Sequence, residues 1–128
     1  GVRVDLNLNS DLPPVPADRI LIEQVLVNLV DNACAAVVEN PDGQRRVSVT
    51  ARADAQGVTV AIADNGCGLP DPQRVFDALY TTKPGGLGLG LAIVRSILSS
   101  HGGQVWAEPT PVGGATIAFS LPSGVATS

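Results

Sequence analysis

Asn28, Asp31 and Asn32 interrupt the run VLVNLVDNACAAV, residues 25–37, which is otherwise apolar or small. Gln24, Asn28 and Asn32 recur every four residues, and Asp31 follows Asn28 by three. At about 100° per residue such positions share one side of a helix. A stripe of amides has two physical readings. It is a solvated polar face, or it is a set of oxygens for a ligand, because an amide oxygen can ligate a hard cation such as Mg²⁺ that also takes phosphate oxygens and water. Solvated faces are usually built from Lys, Arg and Glu, and none of these occurs between Glu23 and Glu39.

Two glycine-rich stretches follow. In ADNGCGLP, 63–70, Asp64 closes a strand-like run, and Gly66 and Gly68 allow a tight turn and a close approach to a ligand. A carboxylate in that place can accept a hydrogen bond from an exocyclic amine; D-N-G is also an ordinary turn. In GGLGLGLAIV, 85–94, Gly86, Gly88 and Gly90 alternate and run directly into a helical pattern. Backbone N–H groups at such a loop and helix start favour phosphate oxygens. The dinucleotide fingerprint is excluded because position 91 is Leu, and a P-loop is excluded because no Lys-Ser/Thr follows. Lys83, the only lysine, stands just before these glycines, where an ammonium can reach a phosphate or simply be solvated.

These residues need elements to position them. Residues 2–8 alternate like a strand. SDLPPVPAD reads as a turn and helix entry, with Asp18 as N-cap. The helix continues without Pro or Gly to Val38 and is apolar enough to be buried all round, until ENPDGQ breaks it. Residues 46–52 and 58–64 form a hairpin around a polar turn containing Gly57. A short helix is expected near 72–78 and a second long one from Leu89 to Ser100, stopping at HGG. Strands near 104–108 and 115–121, joined by PTPVGG, close the chain. This order predicts an α+β fold, a two-layer α/β sandwich with one mixed, mainly antiparallel sheet covered on one face by helices.

The chain has 128 residues, enough for one core, and is 45% hydrophobic with a mean hydropathy of +0.24. No apolar run approaches the roughly 20 residues of a membrane span, so the domain is expected to be soluble and to make no membrane contact. A net charge of −4 argues against a nucleic-acid surface. Cys34 and Cys67 make no disulfide framework and suit a reducing cytosol. Residues 1–122 are read as one domain and 123–128 as a flexible C-terminal tail.

In their order, QVLVNLVDNACAA, DNGCG, VFDALYTTK, GGLGLGLAIVRSIL and GGATIAFSLP resemble the boxes of the catalytic and ATP-binding domain of sensor histidine kinases. That branch shares the Bergerat fold with type II topoisomerase subunits, heat-shock chaperones and mismatch-repair ATPases. The resemblance covers nearly all of the chain and implies the following roles. Asn28 and Asn32 belong to the asparagine box, Asn32 as the Mg²⁺ ligand and Asn28, a catalytic residue, beside the phosphates. Asp64 binds the adenine amino group, with Gly66 and Gly68 shaping that wall and Thr116 lining the pocket. Phe76 anchors a mobile lid. Thr82 and Lys83 form its phosphate end, with Lys83 also catalytic, and Gly86, Gly88, Leu89, Gly90 and Leu91 wrap the triphosphate.

The implied activity is transfer of the γ-phosphate of ATP·Mg²⁺ to a histidine on a dimerisation domain, in the same polypeptide or in trans, with a response-regulator receiver domain downstream. The implied location is cytoplasmic, free or as the cytoplasmic part of a membrane-bound sensor. Hydrolytic relatives carry Glu where Asn28 stands, and an amide is a poor proton acceptor, so slow hydrolysis is expected. Two departures stand out. The lid box FxPFFTTK is here FDALYTTK, with Ala78, Leu79 and Tyr80 replacing a proline and two aromatics. No acceptor histidine followed by an acid occurs; His101, in SSHGG, is expected to cap a helix end. The alternatives are a non-catalytic ATP-binding regulatory module of the same fold and a serine kinase of the anti-sigma type.

Overall fold

The computed structural model describes residues 2–8, 17–41, 43–66, 90–109 and 113–122. The elements run β1 (Arg3–Leu8), α1 (Arg19–Ala36), β2 (Arg46–Ala53), β3 (Gly57–Asp64), α2 (Gly90–Ser100), β4 (Gln104–Pro109) and β5 (Ala115–Pro122). The five strands form one sheet in the order β1-β2-β3-β5-β4. β1 runs parallel to β2, and every other pairing is antiparallel. This is the mixed sheet with helices that the sequence predicts. The expected short helix near 72–78 and the tail 123–128 lie outside the described residues.

Alternation along the strands decides which side is covered. Val47, Val49, Ile62, Ile117, Phe119 and Leu121 point to one face and meet Val25, Leu29 and Ala33 of α1 and Val94, Ile97 and Leu98 of α2. Intervening residues such as Thr50, Thr59 and Ser120 point to the other face, away from the helices. Leu29, 1% exposed, is among the largest fully buried side chains. Burying such a side chain contributes about 1.5–3 kcal/mol. The core therefore fixes α1 against β2 and β3, and the two amides that flank Leu29 are carried with it.

α1 is set at both ends. Asp18 Oδ1 accepts from Ile20 N–H at 3.0 Å and Leu21 N–H at 3.1 Å, which confirms it as the N-cap. The helix gives way to turns from Val37, before Pro41, which has no N–H to continue it. The β2–β3 hairpin is held by Asp54, whose Oδ1 accepts from Gln56 N–H at 2.8 Å and Gly57 N–H at 3.0 Å. Among the described residues, no helix is long and apolar enough to cross a membrane.

Candidate nucleotide site

The amide stripe does not lie along a single environment. α1 buries Val25, Leu29 and Ala33, and at about 100° per residue Asn32 lies roughly 60° and Asn28 roughly 100° from Leu29. Both are half-buried, while Gln24 and Asp31, turned further away, are exposed. The helix is also not buried all round, as its composition allows: Ile20 is 75% and Val27 57% exposed. Only Asn28 and Asn32 therefore sit at the rim of the core. Neither amide takes a side-chain hydrogen bond among the described residues, and no fully buried polar side-chain atom there lacks a partner. Two half-buried amides with unused oxygens suit a ligand whose surface is itself polar, such as phosphate or a hydrated hard cation.

Asp64 ends β3 on the core side of the sheet and is 8% exposed. Its Oδ1 accepts from Gly66 N–H at 2.9 Å and Ala115 N–H at 3.3 Å. Its Oδ2 takes no hydrogen bond among the described residues. Burial pushes the carboxyl above the ordinary carboxylate range, against the pull of the Gly66 and Ala115 N–H groups. One oxygen is thus locked by the backbone and the other is an acceptor in a poorly solvated place. That arrangement suits an exocyclic amine, which donates and carries no charge.

Two glycines explain how the backbone comes so close. A Cβ on Gly66 would lie 2.1 Å from the carbonyl oxygen of Ala36, at the end of α1. Gly114 has φ +91°, and a Cβ there would lie 2.1 Å from the carbonyl oxygen of Asp64. Gly66 thus packs its backbone on the end of α1, where a side chain would not fit. The Ala115 N–H and Gly114 were missed as parts of this site; the GGAT glycine pair was their one signal in the sequence.

The register does not bring Thr116 to the same wall. Thr116 pairs with Ala63, and Ile117 pairs with Ile62 in the core, so Thr116 and Ala63 point to the face opposite Asp64. On the Asp64 side the pocket neighbour from β5 is Ala115. Strand parity therefore puts the Thr116 side chain on the face opposite Asp64, and the β5 group that meets the carboxylate is the Ala115 N–H.

α2 begins at Gly90, as the glycine pattern predicts to within one residue, and Leu91 packs its side chain on the core. Gly68, Phe76, Thr82, Lys83, Gly86, Gly88 and Leu89 lie outside the described residues, as does Cys67. His101 caps α2 as expected. Its Nδ1 lies 2.8 Å from the Ile97 carbonyl oxygen, so Nδ1 carries the proton, and its Nε2 accepts from Asp18 N–H at 3.0 Å. Both ring nitrogens are engaged, which does not suit a phosphoacceptor.

Residues 17–125 match the family described as histidine kinase-, DNA gyrase B- and HSP90-like ATPase. The sensor protein FixL of Bradyrhizobium diazoefficiens is 42% identical over 124 residues, which are 95% of this chain and 24% of FixL. The chain thus spans about a quarter of that relative's length. The catalytic domain of histidine kinase ThkA superposes with a TM-score of 0.79 at 36% identity, covering 94% of this chain and 80% of that one. Full-length ShkA, solved with AMPPNP, gives a TM-score of 0.82 at 33% identity over 100% of this chain and 27% of that one.

Proposed function

Because the chain belongs to the histidine kinase-, DNA gyrase B- and HSP90-like ATPase family, and within it resembles histidine kinase catalytic domains, we propose that it binds ATP and passes the γ-phosphate to a histidine on a separate dimerisation domain. The observation that carries the reading is Asp64. It is buried, with Oδ1 held by two backbone N–H groups. Oδ2 is then the acceptor for the adenine amino group. Asn28 and Asn32 lie at the rim of the same core, Asn32 to hold Mg²⁺ and Asn28 to meet phosphate oxygens. Bound there, the ion neutralises phosphate charge. Gly66 and Gly68 shape the base wall. Thr82 and Lys83 provide the lid's phosphate end, and Gly86, Gly88, Leu89, Gly90 and Leu91 wrap the triphosphate.

In this scheme the chain's residues act by position and charge. Phosphoryl transfer asks little covalent chemistry of the protein and much alignment of donor and acceptor. Asp64 would fix the base and the α1 amides would fix the phosphates, so that the γ-phosphate is held for transfer to an acceptor. Asn28 offers no base to activate water, so transfer outpaces hydrolysis. The solved complex of histidine kinase ThkA with a response regulator protein supports a receiver domain as the downstream partner, and we place the domain in the cytoplasm, free or as the cytoplasmic part of a membrane-bound sensor.

The binding half is tested by titrating ADP·Mg²⁺ into the domain calorimetrically. A dissociation constant in the micromolar-to-millimolar range is expected. Ligand at about 100 times that constant should stabilise the fold by about 2.7 kcal/mol. Absence of heat together with an unmoved Tm at millimolar ligand would overturn the reading.

A further inference from the structure

Asn65, directly after Asp64, makes a set of contacts that belongs to no part of the mechanism above. Its Oδ1 accepts from Arg46 N–H at 2.9 Å, and its Nδ2 donates to the Gln44 carbonyl at 2.8 Å. Both partners are backbone groups of fixed polarity, so the amide has only one workable orientation. Its own N–H donates to the Arg46 carbonyl at 3.3 Å. From the other side, Asn40 Nδ2 donates to the Asn65 carbonyl at 2.9 Å and to the Gln44 carbonyl at 3.1 Å, with a longer contact to Asn65 Oδ1 at 3.3 Å. Arg45 Nε in turn donates to the Asn40 carbonyl at 2.9 Å.

This network joins two places that the chain alone keeps apart. Asn40 stands four residues beyond Ala36, the last residue of α1. Asn65 stands one residue beyond the carboxylate at the end of β3. Beside the network, Gly66 lies so close to Ala36 that a Cβ would come within 2.1 Å of its carbonyl oxygen. Hydrogen bonds therefore set the separation of α1 and the Asp64 turn, and steric contact sets its lower limit. Both amides are half-buried, where a hydrogen bond is worth more than at an exposed surface.

We propose that Asn40 and Asn65 are positioning residues that hold the Asp64 carboxylate in register with the asparagine-bearing helix, and thereby set the preference for adenine over guanine. The inference rests on the reading of Asp64 as the adenine acceptor. Guanine carries a carbonyl where adenine carries its amino group, so a correctly aimed carboxylate rewards adenine and repels guanine. A misaimed one does neither well. Phosphate contacts, which both nucleotides share, cancel from the ratio of their affinities.

The test is calorimetric titration of ATP·Mg²⁺ and GTP·Mg²⁺ into the wild-type domain and into Asn40→Asp, Asn65→Ala and Asp64→Asn. Asn40→Asp keeps the shape and replaces a donor by an acceptor facing two carbonyls. The wild type is expected to prefer ATP by about tenfold or more. Asn40→Asp and Asn65→Ala should lose most of that preference, at temperatures where each variant remains folded by circular dichroism. Should Asn40→Asp fail to fold, Asn40→Ala, which leaves the carbonyls to water, carries the same test. A lowered Tm with an unchanged ATP/GTP ratio would overturn the proposal, since it would make the network a part of folding alone. A wild type that shows no preference, with Asp64→Asn equally indifferent, would instead remove the assignment of Asp64 itself.

Discussion

Replacing Asp64 by Asn changes one atom's chemistry and little else. The variant keeps an oxygen that can accept from Gly66 and Ala115 N–H, as Oδ1 does at 2.9 and 3.3 Å. The other terminus becomes a donor where the scheme needs an acceptor. A hydrogen bond to a charged group is worth about 1.5–3 kcal/mol, and the variant also sets donor against donor. The expected loss of ADP affinity is therefore roughly 10- to 100-fold. Stability should move the other way. Burial raises the folded-state pKa of this carboxyl, so between its unfolded and folded values the native state binds more protons than the unfolded one, and stability falls as pH rises. That contribution is fully present below the ordinary carboxylate pKa and is lost as pH rises through the raised value. Asn cannot ionise and escapes the loss. Denaturant unfolding of the nucleotide-free proteins should show Asp64→Asn gaining on the wild type as pH rises toward neutrality, and no such gain in strong acid. Unchanged ADP affinity, or a variant that weakens relative to the wild type with rising pH, would refute the reasoning.

Other perturbations test the remaining parts. Asn32→Ala should stay folded and remove the Mg²⁺-dependent part of ATP affinity, read by titration with and without the ion; an equally Mg²⁺-dependent variant would contradict the role given to that amide. Gly66→Ala should cost about 1–3 kcal/mol or more, because its Cβ would meet the Ala36 carbonyl oxygen at 2.1 Å; a neutral effect on the denaturation midpoint would show that the turn can shift away from α1. Leu29→Ala should lower stability by about 2–5 kcal/mol, since Leu29 is 1% exposed in the core. Burial first, and the Asp31 carboxylate second, push the Cys34 thiol above its ordinary value, so in a Cys67→Ser background its disulfide exchange should be slow at neutral pH and quicken with rising pH. Fast, pH-independent labelling would contradict that environment.

Much of this architecture was legible because it depends on local chemistry. Asp18 was readable as an N-cap because a short side-chain acceptor before an apolar run satisfies the first helical N–H groups. The β2–β3 hairpin followed from two alternating runs around Gly57. What escaped depends on tertiary packing. The fourfold spacing of Gln24, Asn28 and Asn32 says that they neighbour one another, but which of them reaches the core is fixed by Val25, Leu29 and Ala33 meeting the sheet. The face that Thr116 takes on β5 was not legible for a similar reason: a strand's parity is known only once Ile117 is seen to pair with Ile62 in the core. The contact between Asn40 and Asn65 joins residues 25 apart, and that between His101 and Asp18 residues 83 apart. No period in the sequence encodes either. Seven of the proposed ligand-binding and lid residues, from Gly68 to Leu89, lie in a stretch outside the described residues, and their roles rest on the resemblance alone.

The central claim is that this domain donates phosphate to a histidine it does not itself carry. The most direct measurement supplies that histidine: ATP radiolabelled at the γ-phosphate is incubated with the domain and a dimerisation domain bearing the acceptor, joined to it or added in trans, with Asn32→Ala as the control. The account predicts label on the acceptor domain in a bond that is labile to acid and stable to base, none on the isolated domain, little release of free phosphate, and no transfer by the control. Tight ATP binding with no label on the authentic acceptor, or rapid ATP hydrolysis by the domain alone, would contradict it.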